Sequence, residues 1–165
     1  MFGLFSKRKQ NDVPADPPTD PTAAIIFNYL ASKMTAAGIL KMPGVLHPRY
    51  QNNYIVFSAN SYILGAICGM CKTVIVKRGT QSLSEDELRR QLLAMWIDMV
   101  MRLLGKQMGE WAVMGAGALS MAMPFDTVAQ MQPDFARGIL DGANEALAVL
   151  SGQKPPRSFL DGRSS

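Results

Sequence analysis

SEDELRRQLLAMWIDMVMRLL, residues 84–104, decides the fold class. Ser84 stands where a helix N-cap belongs, and Glu87, three residues on, completes a capping box. Glu85, Asp86 and Glu87 place negative charge at the positive end of the helix dipole. Leu88, Leu92, Met95, Trp96, Met99 and Leu103 recur at steps of three and four, the period of one helix face. On the other side Glu85 with Arg89, Asp86 with Arg90 and Asp98 with Arg102 stand four apart, where opposite charges meet across one turn. Gly105 ends the run. A helix of this length extends about 31 Å at 1.5 Å per residue.

The same period appears on both sides of this stretch. Residues 134–151 form a second expected helix, begun by Pro133 and stopped by Gly152 and Pro155. Its expected apolar face is Phe135, Ile139, Ala143, Ala146 and Leu150. A third spans 22–37 with Gly38 as terminator. Residues 42–50, with Pro43, Gly44 and Pro48, read as a loop. Residues 54–76 are apolar nearly all round, the pattern of a central buried helix. Their ends, YIVF and TVIV, are β-branched and aromatic, so a short strand at either end stays open. Residues 107–123 are rich in alanine, glycine and methionine. Pro124 interrupts them, and 126–132 add a further turn or two.

The expectation is therefore an all-α protein, a compact bundle of about five helices over residues 22–152. A flexible arm, 1–21, precedes it, and a flexible tail, 153–165, follows. Pro14, Pro17, Pro18 and Pro21 remove four amide donors and make the arm an extended tether. In the tail, Phe159 and Leu160 are the candidate docking pair. At 165 residues the chain is long enough for one domain with a sizeable core and needs no staples.

Charge is sorted along the chain. Between Asp20 and Glu85 there is no acid, yet Lys33, Lys41, Arg49, Lys72, Lys77 and Arg78 lie there. The net charge is +4 and the pI about 9.2, which favours approach to an anionic surface without naming one. Charged residues make up only 18%, below the usual quarter, and this favours self-association or a place beside a membrane.

Motifs for chemistry are sparse. Cys68 and Cys71 form a CxxC, but redox enzymes place that motif at a helix N-terminus, and here it sits inside an apolar run. Zinc needs two more ligands, and His47 is the only histidine. Buried structural cysteines are the expectation, with a thiol redox protein as an alternative. His47 has no partner for a triad, and no nucleophile elbow, HExxH or P-loop is spelled. The expectation is no enzyme, no cofactor and no metal. Gly65 and Gly69, and separately Ala112, Gly115, Ala116 and Ser120, are small residues that let helices approach closely. Trp96, Ala112, Gly115, Ala116 and Ser120 are the expected helix-packing interface. Such spacing also drives association in lipid, so a membrane hairpin of 54–76 and 107–125 is the other alternative. Residues 54–71 run 18 residues without a charge, the lower limit for a span.

The N-terminus, MFGLFSKRK, is the expected binding element. Phe2, Leu4 and Phe5 suit insertion at an interface, and Lys7, Arg8 and Lys9 suit anionic headgroups. A signal peptide orders charge and apolar run the other way, and two cysteines fit a reducing compartment. A cytoplasmic location, with association at a membrane, is the expectation. The bases are too dispersed, with too few aromatics between them, for nucleic acid. The functional expectation is a non-enzymatic oligomerising adaptor or structural subunit of a larger assembly. Its partners are a second copy, another protein and an anionic membrane surface.

Overall fold

The computed structural model describes residues 14–51, 61–79, 83–106, 109–110, 130, 132–155 and 160. Helix α1, Pro21–Ala36, begins because Asp20 accepts a hydrogen bond from the Ala23 N–H at 3.2 Å and Pro21 pre-sets the first turn. Ala23, Ile26, Phe27, Leu30, Ala31 and Met34 form its buried stripe. Gly38, at φ +74°, reverses the chain after it.

The expected loop at 42–50 contains more structure than its prolines and glycine suggested. Strands β1, Leu40–Met42, and β2, Val45–Leu46, pair antiparallel with Leu40 opposite Leu46 and Met42 opposite Val45. Gly44 makes the turn at φ +85°. A single helical turn, α2, Pro48–Gln51, follows.

Helix α3, Ser61–Lys77, is the buried centre, with twelve residues from Ile63 to Ile75 out of water. The strand option at TVIV is corrected here: Thr73, Val74, Ile75 and Val76 are helical. Burial of three of them outweighs their β-branched preference. The YIVF option, at 54–57, lies outside the described residues.

Helix α4, Glu85–Leu104, follows its sequence closely. Ser84 Oγ accepts from the Glu87 N–H at 3.2 Å, and Gly105 closes the helix at φ +84°. Arg89 reaches Glu85 at 3.6 Å and Arg102 reaches Asp98 at 2.7 Å, whereas Arg90 bridges to Glu87 at 3.2 Å rather than to Asp86. Trp96 is wholly buried. Its Nε1 donates to the Leu64 carbonyl at 3.0 Å, and its ring meets Phe135 edge-on at 6.1 Å between centroids.

Helix α5, Pro133–Leu150, lies against α3 with almost no side chain between them. A Cβ added at Gly65 would sit 2.1 Å from the Phe135 carbonyl oxygen, and one at Gly69 would sit 2.0 Å from that of Ile139. From the other helix, a Cβ at Gly138 would sit 2.2 Å from the Tyr62 oxygen and one at Gly142 2.1 Å from that of Ala66. The contacts rise together in number along both helices, so α3 and α5 run parallel, with α4 as the return between them. Two GxxxG spellings thus face one another. Of the face expected on α5, Phe135, Ile139 and Ala146 are buried and Ala143 and Leu150 half-buried, and Gly138, Gly142 and Glu145 are buried beside them. Thr73 Oγ1 stitches the seam, donating to the Gly69 carbonyl at 3.1 Å and the Ala143 carbonyl at 3.3 Å.

The result is mostly helical, with a two-stranded sheet at one end of α1. Among the described residues no helix is long and apolar enough to cross a membrane. Residues 54–60 and 111–125 of the alternative hairpin lie outside the described residues. Two positions assigned to the arm and the tail, Ala15 and Leu160, pack against the core.

Candidate functional site: the anchored N-terminal strap

Residues 14–20 carry three of the four arm prolines, which hold them extended and leave few amides to satisfy. The Ala15 N–H donates to the Pro43 carbonyl at 2.8 Å, so the strap lies on the hairpin turn. The Gly44 N–H donates to the Leu103 carbonyl at 3.1 Å, fastening that turn to the end of α4. A Cβ at Gly44 would meet the Ala15 Cβ at 2.8 Å, and one at Gly105 would meet the Gly44 oxygen at 2.7 Å. Strap, hairpin and α4 therefore converge on two glycines. Arg102 adds a clamp: its Nη1 donates to the Asp16 carbonyl at 2.8 Å while its Nε donates to Asp98 at 2.7 Å.

The other end of the strap is held by Asp20. Its carboxylate caps α1 and also accepts from Arg78, whose Nε lies at 3.0 Å and whose Nη2 is closer still. The hydrogen bonds from Arg78 hold the Asp20 carboxyl below the usual carboxylate range, against a weaker opposing effect of desolvation. Between strap and α4 lies a cavity of about 370 Å³, walled by Pro18, Asp20, Arg78, Gln91 and Asp98 and floored by Met95 and Met99. Each arginine there faces one carboxylate, so the cavity has little net charge to offer. What the arrangement does chemically is hold an extended segment by its backbone and by one ion pair.

Two polar contacts sit beside the α3–α5 seam. Glu145, only 3% exposed, accepts from the Tyr29 hydroxyl and so links α5 to α1. Tyr62 donates to Asp141 at 2.5 Å beneath the Arg137 guanidinium. Desolvation first, and the Asp141 carboxylate second, push the Tyr62 phenol up to about 12.

The structure places the sequence-derived candidates as follows. Phe2, Leu4, Phe5, Lys7, Arg8 and Lys9 lie outside the described residues, as do Ala112, Gly115, Ala116 and Ser120. Trp96 is in the core, at the junction of α3, α4 and α5. Cys68 and Cys71 are free and fully buried. Burial pushes the Cys68 thiol up to about 12 and the Cys71 thiol well above its ordinary value, the reverse of an activated thiol. His47 Nδ1 accepts from the Arg49 N–H at 3.4 Å, a local role at the start of α2. Among the described residues no cluster of His, Cys, Asp and Glu is arranged to hold a metal ion.

The bases of the acid-free half separate. Arg49 donates to the Gly38 carbonyl at 3.1 Å and stacks on Tyr50, beyond the C-terminal end of α1. Lys41 is exposed on β1, at that same end, and Lys33 lies one turn back with its Nζ 5.8 Å from the Tyr29 ring. Lys77 and Arg78 lie at the opposite end, where Arg78 meets Asp20. The sixteen residues of α1 put about 24 Å between the two groups.

The strap anchors escaped the sequence reading. Asp20 before Pro21 spells an N-cap followed by a first-turn proline, and that signal was available. The Arg102 clamp and the Ala15–Pro43 bond join distant positions, and no local pattern announces them. No protein-family model, no curated protein and no solved structure matches this chain.

Proposed function

We propose that this chain is a non-enzymatic adaptor or structural subunit that self-associates, joins a larger assembly and docks peripherally at an anionic membrane surface through its N-terminal arm. One observation carries this reading: the root of the arm is tied to the folded domain. Ala15, Asp16 and Asp20 are each held, by Pro43, Arg102 and Arg78 respectively. An arm rooted in this way transmits a tether to the bundle, where a slack one would leave the bundle free to tumble. The composition of residues 2–9 supplies the chemistry, apolar rings beside three bases. One such segment binds weakly, and self-association would raise its avidity.

The test is deletion of residues 1–9. The shortened chain is expected to keep its helical content and lose sedimentation with vesicles that contain phosphatidylserine. Unchanged sedimentation would remove the arm from the reading. Light scattering on the full chain checks self-association: a monomer mass at every concentration would contradict that part.

A further inference from the structure

Resting on the self-association proposed above, we infer that two copies of this chain meet by antiparallel pairing of their α5 helices, through a stripe of leucine and alanine on the flank of α5 left open by α3 and α1. Among the described residues the large apolar side chains left exposed are Ile25, Val76, Leu140 and Leu147. Leu140 and Leu147 stand seven apart on α5 and so share one face. Val76 lies three residues beyond Thr73, whose hydroxyl bonds the Ala143 carbonyl, and this brings it level with Leu147. Ile25 belongs to α1, which meets α5 on a different side, through Tyr29 and Glu145.

The stripe has a coiled-coil period. Pro133, Leu140 and Leu147 recur every seven residues, and Ala136, Ala143 and Leu150 each follow one of them by three. The first set is exposed and the second half-buried. The stripe lies roughly a third of a turn around the helix from the Gly138–Gly142 contact with α3, so it is surplus to the core. A twofold axis at the level of Asp141 and Gly142 makes it its own complement. Leu140 then falls opposite the partner's Ala143, Leu147 opposite the partner's Ala136, and Leu150 opposite the partner's Pro133. Every leucine meets a smaller side chain, so the layers interdigitate. A parallel pair would stack leucine on leucine and alanine on alanine, crowding one layer and emptying the next.

Charge favours the same occupant. The charges that border the stripe are of both signs: Asp134, Arg137 and Asp141 on α5, and Lys72 on the adjoining turn of α3. A second copy carries the same mixture, whereas a sheet of anionic headgroups does not match it. In this register Arg137 comes beside the partner's Asn144, and no like charges on α5 face one another. Antiparallel helices also set each positive N-terminus beside a negative C-terminus. The size of the contact fixes its strength. Eighteen residues of helix measure about 27 Å. A contact of that length alone buries less than the roughly 1,200 Å² of a stable complex, so the dimer is weak and concentration-dependent.

The experiment is sedimentation velocity on the full chain and two variants. The full chain is expected to pass from monomer to dimer between about 1 and about 200 μM. Leu140→Glu sets a carboxylate into the contact twice per dimer and is expected to weaken the dimer on the order of a hundredfold. Ile25→Glu adds the same charge at another exposed apolar position and is expected to change it by less than about twofold. Circular dichroism checks that both variants keep their helical content. A second measurement reads the register without introducing charge. A chain carrying Leu140→Cys is mixed with one carrying Ala143→Cys and oxidised with diamide; the native Cys68 and Cys71 are buried. Mixed disulfide dimers are expected to outnumber both symmetric kinds, and an excess of a symmetric kind would overturn the antiparallel register. If Leu140→Glu and Ile25→Glu dimerise equally well, self-association stands and this face fails. If the full chain stays monomeric throughout, self-association itself fails and this inference with it. If Leu140→Glu abolishes sedimentation with phosphatidylserine vesicles while the full chain is monomeric, the stripe is a lipid contact and the inference is overturned.

Discussion

The α3–α5 seam and the N-terminal strap are held by opposite means. At the seam, backbone meets backbone: Gly65, Gly69, Gly138 and Gly142 leave no room for a methyl group, and Thr73 bonds across. At the strap, an extended segment rests on a few hydrogen bonds and one ion pair whose side chains are 35% and 29% exposed. Close packing in a dry interior tolerates no change of volume, whereas a partly solvated ion pair contributes little and is screened by salt. The difference teaches where this protein is rigid and where it is adjustable. The seam provides a platform, and the strap decides how the arm is attached to it.

The largest expected effect breaks the seam. Gly69→Ala drives a methyl into the Ile139 carbonyl, a backbone group with nowhere to go. Alanine's better helix propensity returns about 1 kcal/mol, and the clash is expected to leave a net loss of about 3 kcal/mol. Chemical denaturation reads it as a lower midpoint at unchanged slope. Gly79→Ala is the control. It has nothing within 4 Å and only the left-handed φ of +75° to resist it, so its cost is about 1 kcal/mol. Equal midpoints for the two variants would show that the helices are not in backbone contact.

Proton linkage sharpens the same comparison, because the two regions respond at opposite ends of the pH scale. Cys68 and Tyr62 on α3 have folded pKa values of about 12, above the ordinary 9.0 and 10.0. A raised folded pKa favours the protonated form, so their contribution is complete below the ordinary values and falls as pH rises toward 12. Asp20 behaves in reverse. Its lowered pKa means the contribution is complete above the ordinary 3.8 and is lost as pH falls below it. Global stability is therefore expected to decline between about pH 9 and 12, and strap attachment to weaken only in acid. Denaturation midpoints and the fluorescence of a probe at Asn11 report the two separately. A flat stability profile from neutral pH up to 12 would contradict the buried thiol and phenol.

The smallest effect concerns the strap alone. Arg102→Gln removes the clamp on Asp16, and Asp20→Asn weakens the bond to Arg78 while retaining an N-cap oxygen. Each is expected to cost less than about 1 kcal/mol of global stability, yet to speed proteolysis of the arm near residue 14. Loss of helical content in either variant would mean that the strap belongs to the core.

Much of the fold was legible in local pattern. Residues 84–104 announce α4 through cap, period and stop together, and the structure keeps all three. The starts of α1 and α5 fall within a residue of the expected positions 22 and 134. The hairpin was not legible, because strands of three and two residues are too short to show a period. The seam was half legible. Gly65 and Gly69 stood out in an apolar run, but Gly138 and Gly142 were not part of the face expected on α5. Phe135, Ile139 and Ala146 of that face are buried as expected, and the closest contact is made beside them by absence of side chains. Leu140 and Leu147 are left 67% and 46% exposed, and Glu145 is turned inward to Tyr29. Of the candidate site, the composition of the arm was readable and its anchorage was not, since Pro43, Arg78 and Arg102 come to it from three different elements.

Native-state hydrogen exchange of the full chain tests the contrast most directly. Amides of α3 and α5 at the seam, Ile67 and Ala146 among them, are expected to exchange only through global unfolding. The Ala15 amide is expected to exchange through a local opening several kcal/mol less costly, on the order of the few contacts that hold it. Arg102→Gln should accelerate Ala15 and leave Ile67 untouched. If Ala15 exchanges as slowly as Ile67, or if the seam amides open locally while the rest of the fold holds, the division into rigid platform and adjustable strap is wrong.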